Sequence, residues 1–326
     1  MRPGRFGVGA RRCAGRRALR WFAGALGIIL LAAAIPVLAA DATSGPSAGS
    51  TPRLATVDWG LAQDLIAMGV TPLAVGQTSG YETWVGQPKL PPGTHNLGLR
   101  SQPNLELLSQ LDPDRILITG MYAALKPKLA AVAPVTTVDV YFTPGPVWDK
   151  TVAAAKKLGR ITHRPQAAQA LIQRTEEAVR HAAQRLPDDV APLLVIQFSD
   201  AQHVYVFGRG SLIGATLQRM GLTNAWQGET SRWGSAQIPL SRLASVQTGR
   251  VVVMGPIPVG LRQRLAHNRL WQSLATVRNA PVVYIPGVWS FGGLPSASRF
   301  ARLVTAALRS APASGPGWPE QTERSS

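Results

Sequence analysis

Arg115-Ile116-Leu117-Ile118-Thr119 is an apolar run ended by Gly120. It shows no polar/apolar alternation, so it reads as a strand covered on both faces, as in a parallel sheet. Upstream, Arg53–Asp58 (RLATVD) reads as a short strand. Trp59-Gly60 is expected to turn the chain into a helix over Leu61–Met68 that stops at Gly69, and Pro72–Val75 reads as the next strand. Residues 76–92 have no period and read as a long loop carrying Tyr81 and Trp84. Downstream, Gly120-Met121-Tyr122 leads to a Lys/Ala/Leu helix, and Thr136–Val140 is a further strand. Strands alternating with helices define an open, mostly parallel sheet with helices on both faces.

The pattern then breaks and restarts. Pro144-Gly145-Pro146 opens a helix over Trp148–Leu158, ended by Gly159. A second helix, Gln166–Gln184, places Ala168, Leu171, Ile172, Thr175, Val179 and Ala182 on one face. Leu193–Phe198, Val204–Phe207, Arg250–Met254 and Val282–Ile285 are strands of a second sheet. Ser211 is expected to cap a helix running to Met220, and Ser296 the last helix. The expected organisation is an N-terminal α/β lobe over 53–145, a connecting helix over 146–165 and a C-terminal α/β lobe over 166–311. These are two open α/β lobes joined by a long connecting helix, with a ligand cleft between them. Such a length suits two cores better than one.

The ends read as processing and tether segments. Seven Arg and no acid occupy residues 1–20, and Trp21–Ala40 is almost wholly apolar. With the small residues that follow, 1–40 has the order of an export signal. Arg16-Arg17-Ala18-Leu19 suggests the twin-arginine type, with Arg11-Arg12 as a second pair. The expected location is therefore periplasmic; an uncleaved anchor is the alternative, since twenty apolar residues can span a bilayer. Cys13, the only cysteine, precedes the apolar run, so the mature chain carries no disulfide or thiolate chemistry. Residues 41–52 are a Gly/Ser/Pro/Thr linker. Its Gly45-Pro46-Ser47-Ala48-Gly49 matches a hydrolase elbow in letters, without the strand and helix that an elbow requires. Residues 312–326 read as a disordered tail. The net charge of +17 is scattered, and no nucleic-acid-binding signature accompanies it.

Candidate chemistry gathers on loops. In Leu97–Leu108 (LGLRSQPNLELL) a turn carries one cation, Arg100. Pro103 is expected to keep Gln102 out of any regular element. Asn104 caps a short helix with Glu106 in its first turn. Arg cannot neutralise itself and its planar fork suits oxyanions. It therefore meets either an internal carboxylate or an anionic ligand. Trp59, Tyr122, Trp289 and Phe291 follow strands, and Trp84 and Trp233 lie on connecting loops. Large aromatics on loops in both lobes suggest the walls of one cleft. His95, His163, His181, His203 and His267 are dispersed without metal-ligand spacing. No carboxylate pair of glycosidase type and no phosphate loop is present. No metal ligands and no catalytic residues are expected.

On LGLRSQPNLELL, on Tyr81-Glu82-Thr83-Trp84-Val85, on Asn224–Ser235 (NAWQGETSRWGS) and on Pro286-Gly287-Val288-Trp289, the chain resembles the periplasmic ferric hydroxamate siderophore-binding (FhuD-like) proteins of ABC iron importers, a helical-backbone class of substrate-binding protein. The resemblance runs from about Arg53 to Ser310. It implies that Arg100 and Tyr122 bond the hydroxamate oxygens around the iron and that Trp59, Trp84, Trp233 and Trp289 wall a shallow cleft. Phe291 stands where a tyrosine is known in the family. The iron would arrive already chelated, so no cofactor and no protein iron ligand are implied. The implied partners are a ferric siderophore and an inner-membrane ABC permease with its ATPase, met by a monomer. Glu106 matches the first-lobe docking acid. In the second lobe Ser241-Arg242-Leu243 stands where an acid is expected, so docking is asymmetric or uses another acid such as Glu229. The same fold with haem or a cobalamin as ligand, or a siderophore esterase, are the other readings. Haem would call on Tyr122 or His95, and an esterase on a Ser-His-acid set.

Overall fold

The computed structural model describes residues 51–310. The export signal, the twin-arginine pairs, Cys13, nearly all of the linker and the 312–326 tail lie outside these residues.

The first half of the chain runs β1 (Leu54–Thr56), α1 (Trp59–Ala67), β2 (Ala74–Val75), α2 (Thr78–Trp84), β3 (His95–Asn96), β4 (Gly98–Leu99), β5 (Gln102–Pro103), α3 (Leu105–Gln110), β6 (Arg115–Ile118), α4 (Lys126–Ala130) and β7 (Val135–Thr137). Five strands form an all-parallel sheet in the order β3-β2-β1-β6-β7. Two helices follow, α5 (Val147–Ile161) and α6 (Pro165–Ala183). The second half runs β8 (Leu193–Phe198), β9 (His203–Phe207), α7 (Leu212–Arg219), β10 (Ser235–Pro239), β11 (Arg250–Met254), α8 (Leu261–Ala266), α9 (Arg269–Ser273), α10 (Ala275–Arg278), β12 (Val283–Ile285) and α11 (Leu294–Ser310). Its sheet, β10-β9-β8-β11-β12, is mixed: β8, β11 and β12 are parallel, while β9 runs antiparallel to both of its neighbours, β8 and β10. The expected fold class, two α/β lobes, is what the chain adopts.

Both helices between the sheets touch both cores. The predicted face of α6 is its buried face, residue for residue. Ala168, Leu171 and Ile172 pack into the first core, and Val179 and Ala182 into the second. In α5, Ala154, Ala155 and Leu158 join the first core while Trp148 joins the second. Gly159 does not end α5. A Cβ there would lie 2.6 Å from the Ala168 Cβ, so the glycine permits close helix packing within a helix that continues to Ile161.

Other local expectations are corrected. Trp59 is the first residue of α1, because Asp58 caps that helix through the Leu61 N–H at 3.0 Å. Residues 78–84 form α2 instead of open loop; Tyr81 is fully buried there and its hydroxyl donates to the Pro88 carbonyl at 2.7 Å. Gln102 and Pro103 do form a two-residue strand, β5, paired with β4. Proline tolerates that edge position because it has no N–H to leave unpaired.

Ser296 lies inside α11 and is not its cap. The Leu294 N–H instead donates to Asp64 Oδ1 at 3.0 Å, and Ser296 Oγ donates to Gln63 Oε1 at 2.9 Å. Two side chains of α1 thus hold the start of the last helix, across the lobes. Asp64 is 2% exposed. Burial pushes its carboxyl up to about 8, the Leu294 N–H opposes this, and Asp58 adds to it. An unfolded aspartate titrates near 3.9. Between those values the folded chain keeps a proton that the unfolded chain releases. The contribution to stability is therefore complete below about pH 4 and is lost as pH rises towards 8, at no more than ~1.4 kcal/mol per pH unit. Asp64→Asn keeps an oxygen acceptor and removes that slope. Thermal melts should show the variant melting above the parent at pH 8, with the gap closing towards pH 4.

Candidate functional site

Arg100 and Ser101 are the two-residue turn of the β4–β5 hairpin, with Gly98 opposite Pro103 and Leu99 opposite Gln102. The hairpin is tied down on several sides. Gln77 N–H donates to the Gly98 carbonyl at 2.6 Å, Asn104 N–H to the Leu97 carbonyl at 2.7 Å, and Asn104 caps α3 through the Leu107 N–H at 2.9 Å. Gly76, just beyond β2, lets the hairpin approach: a Cβ there would lie 3.0 Å from Arg100 Cγ and 3.3 Å from Val57 Cα. The guanidinium then lies over the Trp59 ring, its carbon 3.6 Å from the ring centroid, and 5.1 Å from that of Trp289. Trp59 is 2% exposed and its ring N–H donates to the Gly76 carbonyl at 2.8 Å. It is the floor beneath the arginine.

Arg100 has no carboxylate within 4 Å among the described residues. Its Nη1 donates to the Tyr122 hydroxyl at 2.9 Å, and its buried Nε has no protein partner. Because Tyr122 accepts from the arginine, its own hydroxyl proton remains to be donated. Burial, reinforced by Asp58, pushes the Tyr122 phenol up, against the opposing pull of Arg100, so it acts as a neutral donor. Asp58 itself is buried and its carboxyl is raised by that burial, though the Leu61 N–H, the Thr119 hydroxyl at 2.8 Å and the Arg100 charge all favour its ionised form.

The other aromatic residues form one connected series across the lobes. Trp59 meets Trp289 at 4.8 Å between ring centroids, Trp289 meets Phe291 at 5.4 Å, and Phe291 meets Trp233 at 5.5 Å. Trp84, the last residue of α2, packs half-buried on the Trp59–Tyr81 cluster, which Trp289 also joins. Two residues absent from the expected set complete the series. Tyr141 lies 5.2 Å from Trp233 and 6.0 Å from Phe291, with its hydroxyl donating to the Ser290 carbonyl at 3.4 Å; Phe142 lies 5.1 Å from Trp233. Both directly follow the predicted strand Thr136–Val140, the same strand-end rule that singled out Tyr122. Beside Trp233 and Phe291 opens a cavity of about 670 Å³, which Met121 of the first lobe and Glu229 and Gln237 of the second also line.

Other expected groups lie apart. Glu106 is exposed in the first turn of α3. His95 is on β3, the outer strand of the first sheet. Among the described residues no three His, Cys, Asp or Glu side chains gather as a metal site. His203 Nδ1 lies 3.1 Å from Asp200, with Ser199 adjacent, but Ser199 Oγ donates to the His203 carbonyl and not to its ring. That serine therefore lacks the bond to a base that nucleophilic catalysis requires.

Two α/β lobes bridged by packed helices, with an aromatic cleft at the carboxyl ends of strands from both, define a two-lobed ligand-binding protein. The periplasmic binding protein family matches residues 54–288, and the chain belongs to that family. It is 31% identical over 261 residues, 78% of this chain and 86% of the relative, to the iron(3+)-hydroxamate-binding protein FhuD of Escherichia coli (strain K12). It is 25% identical over 260 residues to the achromobactin-binding periplasmic protein of Dickeya dadantii (strain 3937), covering 74% of this chain and 81% of that one. The Fe3+-Desferal-bound siderophore-binding protein FhuD from Vibrio cholerae superposes with a TM-score of 0.73 at 26% identity, over 81% of this chain and all of that one. Among the described residues no helix is long and apolar enough to cross a membrane.

Proposed function

We propose that the chain captures ferric hydroxamate siderophores in the inter-lobe cleft and delivers them to an ABC permease for iron uptake. The observation that carries this reading is Arg100: a guanidinium over the Trp59 ring and beside that of Trp289, donating to a phenol whose own proton remains available, and without a carboxylate within 4 Å among the described residues. A ferric trihydroxamate presents partly negative oxygens and an apolar periphery. It needs few donors and much aromatic surface, and its iron is already saturated, so the protein supplies no ligand to the metal and needs no cofactor. In this reading Arg100 and Tyr122 bind the hydroxamate oxygens, while Trp84, Trp233, Trp289 and Phe291 wall the complex over the Trp59 floor. The role is binding, not catalysis.

Glu106 fits a docking contact with the permease from the first lobe. The corresponding turn of the second lobe, Leu240–Ser245, presents Ser241 and Arg242 instead of an acid, so docking is asymmetric. The chain acts as a monomer in the periplasm, exported by its Arg-rich leader. Haem as the ligand would call for a tyrosinate or a histidine, and the raised Tyr122 phenol and the peripheral His95 do not favour it. Titration of intrinsic tryptophan fluorescence with ferrioxamine B, ferrichrome, haem and a cobalamin tests the assignment. Saturable responses to the two hydroxamates are expected; a tight response to haem alone would overturn it.

A further inference from the structure

The aromatic series of Trp59, Trp289, Phe291 and Trp233 has opposite charge beside its two ends. At one end stands Arg100. At the other, the cavity of about 670 Å³ is lined by Glu229 and by no lysine or arginine, in a chain with 34 Lys and Arg against 17 Asp and Glu. Glu229 lines the cavity, is exposed, and forms no ion pair within 4 Å among the described residues. Arg232, three residues along, is not among the cavity's lining residues and places its guanidinium 5.1 Å from the Phe142 ring. The segment carrying Glu229 is held in place. Ser231 Oγ donates to the Ser235 carbonyl at 2.8 Å, Gly234 N–H to the Ser231 carbonyl at 2.8 Å, and Thr230 packs where a Cβ on Gly208 would lie 2.7 Å from its methyl. A carboxylate on an ordered backbone costs little further entropy to engage. Trp233 and Phe291 line the same cavity, and their ring faces also attract cations.

We propose that this end of the cleft receives a cationic arm of the ligand, with Glu229 as its counter-ion. The inference rests on the siderophore reading above and adds a preference within that class: a ferric trihydroxamate with a free, protonated primary amine is favoured over the same complex with the amine acylated. The pair is partly open to water, so the preference is modest, about fivefold at low ionic strength, and it shrinks as salt is added.

The test compares ferrioxamine B, which ends in a primary amine, with its N-acetyl derivative, by fluorescence titration of the parent chain and of Glu229→Gln. The parent should bind the amine form about fivefold more tightly, and this ratio should fall to about one in E229Q. Equal affinity of the parent for the two complexes, or an unchanged ratio in E229Q, overturns the cationic-arm proposal while leaving the siderophore reading in place. Binding of neither complex by the parent removes the siderophore reading, and the proposal with it.

Discussion

Arg100→Ala should weaken binding of a ferric trihydroxamate by about 1.5–3 kcal/mol, tenfold to somewhat over a hundredfold, the scale of charge-assisted hydrogen bonds. The folded chain should tolerate the change. Arg100 bridges to no carboxylate, Trp59 keeps its hydrogen bond to the Gly76 carbonyl, and Tyr122 stays buried at 7% exposure. The apo protein gives up a guanidinium–indole contact and one hydrogen bond to the Tyr122 hydroxyl, a smaller loss than that of the charge-assisted bonds in the complex. Arg100→Lys separates charge from shape. A lysine restores the positive charge as a single point and loses the planar fork that lies over Trp59, so it should recover only part of the affinity. Unchanged affinity in Arg100→Ala would place the ligand elsewhere.

The features legible in the sequence were those whose causes are local. Arg100 on its turn and the Asn104 cap needed only neighbours within a few residues. The buried face of α6 followed from helical spacing, and RILIT from its unbroken apolar character. The convergence of Trp59, Trp289 and Phe291 could be anticipated because the carboxyl ends of strands in open α/β sheets share one edge; Trp233, which precedes β10, joins them through its loop and not by that rule. What escaped depended on distant contacts. In α2, Thr78-Ser79-Gly80 is weak helix material, and packing of Tyr81 stabilises what propensity alone does not. The cap on α11 comes from Asp64, 230 residues earlier, and an aspartate inside a helix carries no mark of such a partner. Gly159 offered the usual sign of a helix end, yet its meaning depends on Ala168 across a helix pair. Tyr141 and Phe142 lie just past the predicted strand Thr136–Val140, but β7 ends at Thr137, and their part in the series depends on Trp233 and Phe291 of the other lobe.

Gly234→Ala should cost about 3 kcal/mol or more in stability and abolish binding in whatever fraction folds. The residue has φ +69°, a region that costs an L side chain roughly 1–2 kcal/mol. The larger cost is steric. A Cβ would lie 2.0 Å from the Ser211 nitrogen and 2.1 Å from the Gly210 carbonyl carbon, main-chain atoms at the start of α7. Ser211 cannot retreat freely, because its Oγ both donates to the Gly208 carbonyl at 2.7 Å and accepts the Gly214 N–H at 2.9 Å as the cap of α7. Relief must come from the 231–235 turn, which carries Trp233 into the aromatic series. Gly221→Ala gives the comparison: φ there is +74° but nothing lies within 4 Å of the added carbon, so backbone strain acts alone and about 1 kcal/mol is expected. Urea unfolding of the two variants isolates the clash as the difference between them. Equal losses would mean that the turn yields without cost. Trp233 would then be held by its ring neighbours and not by its backbone, and ligand affinity in Gly234→Ala should survive.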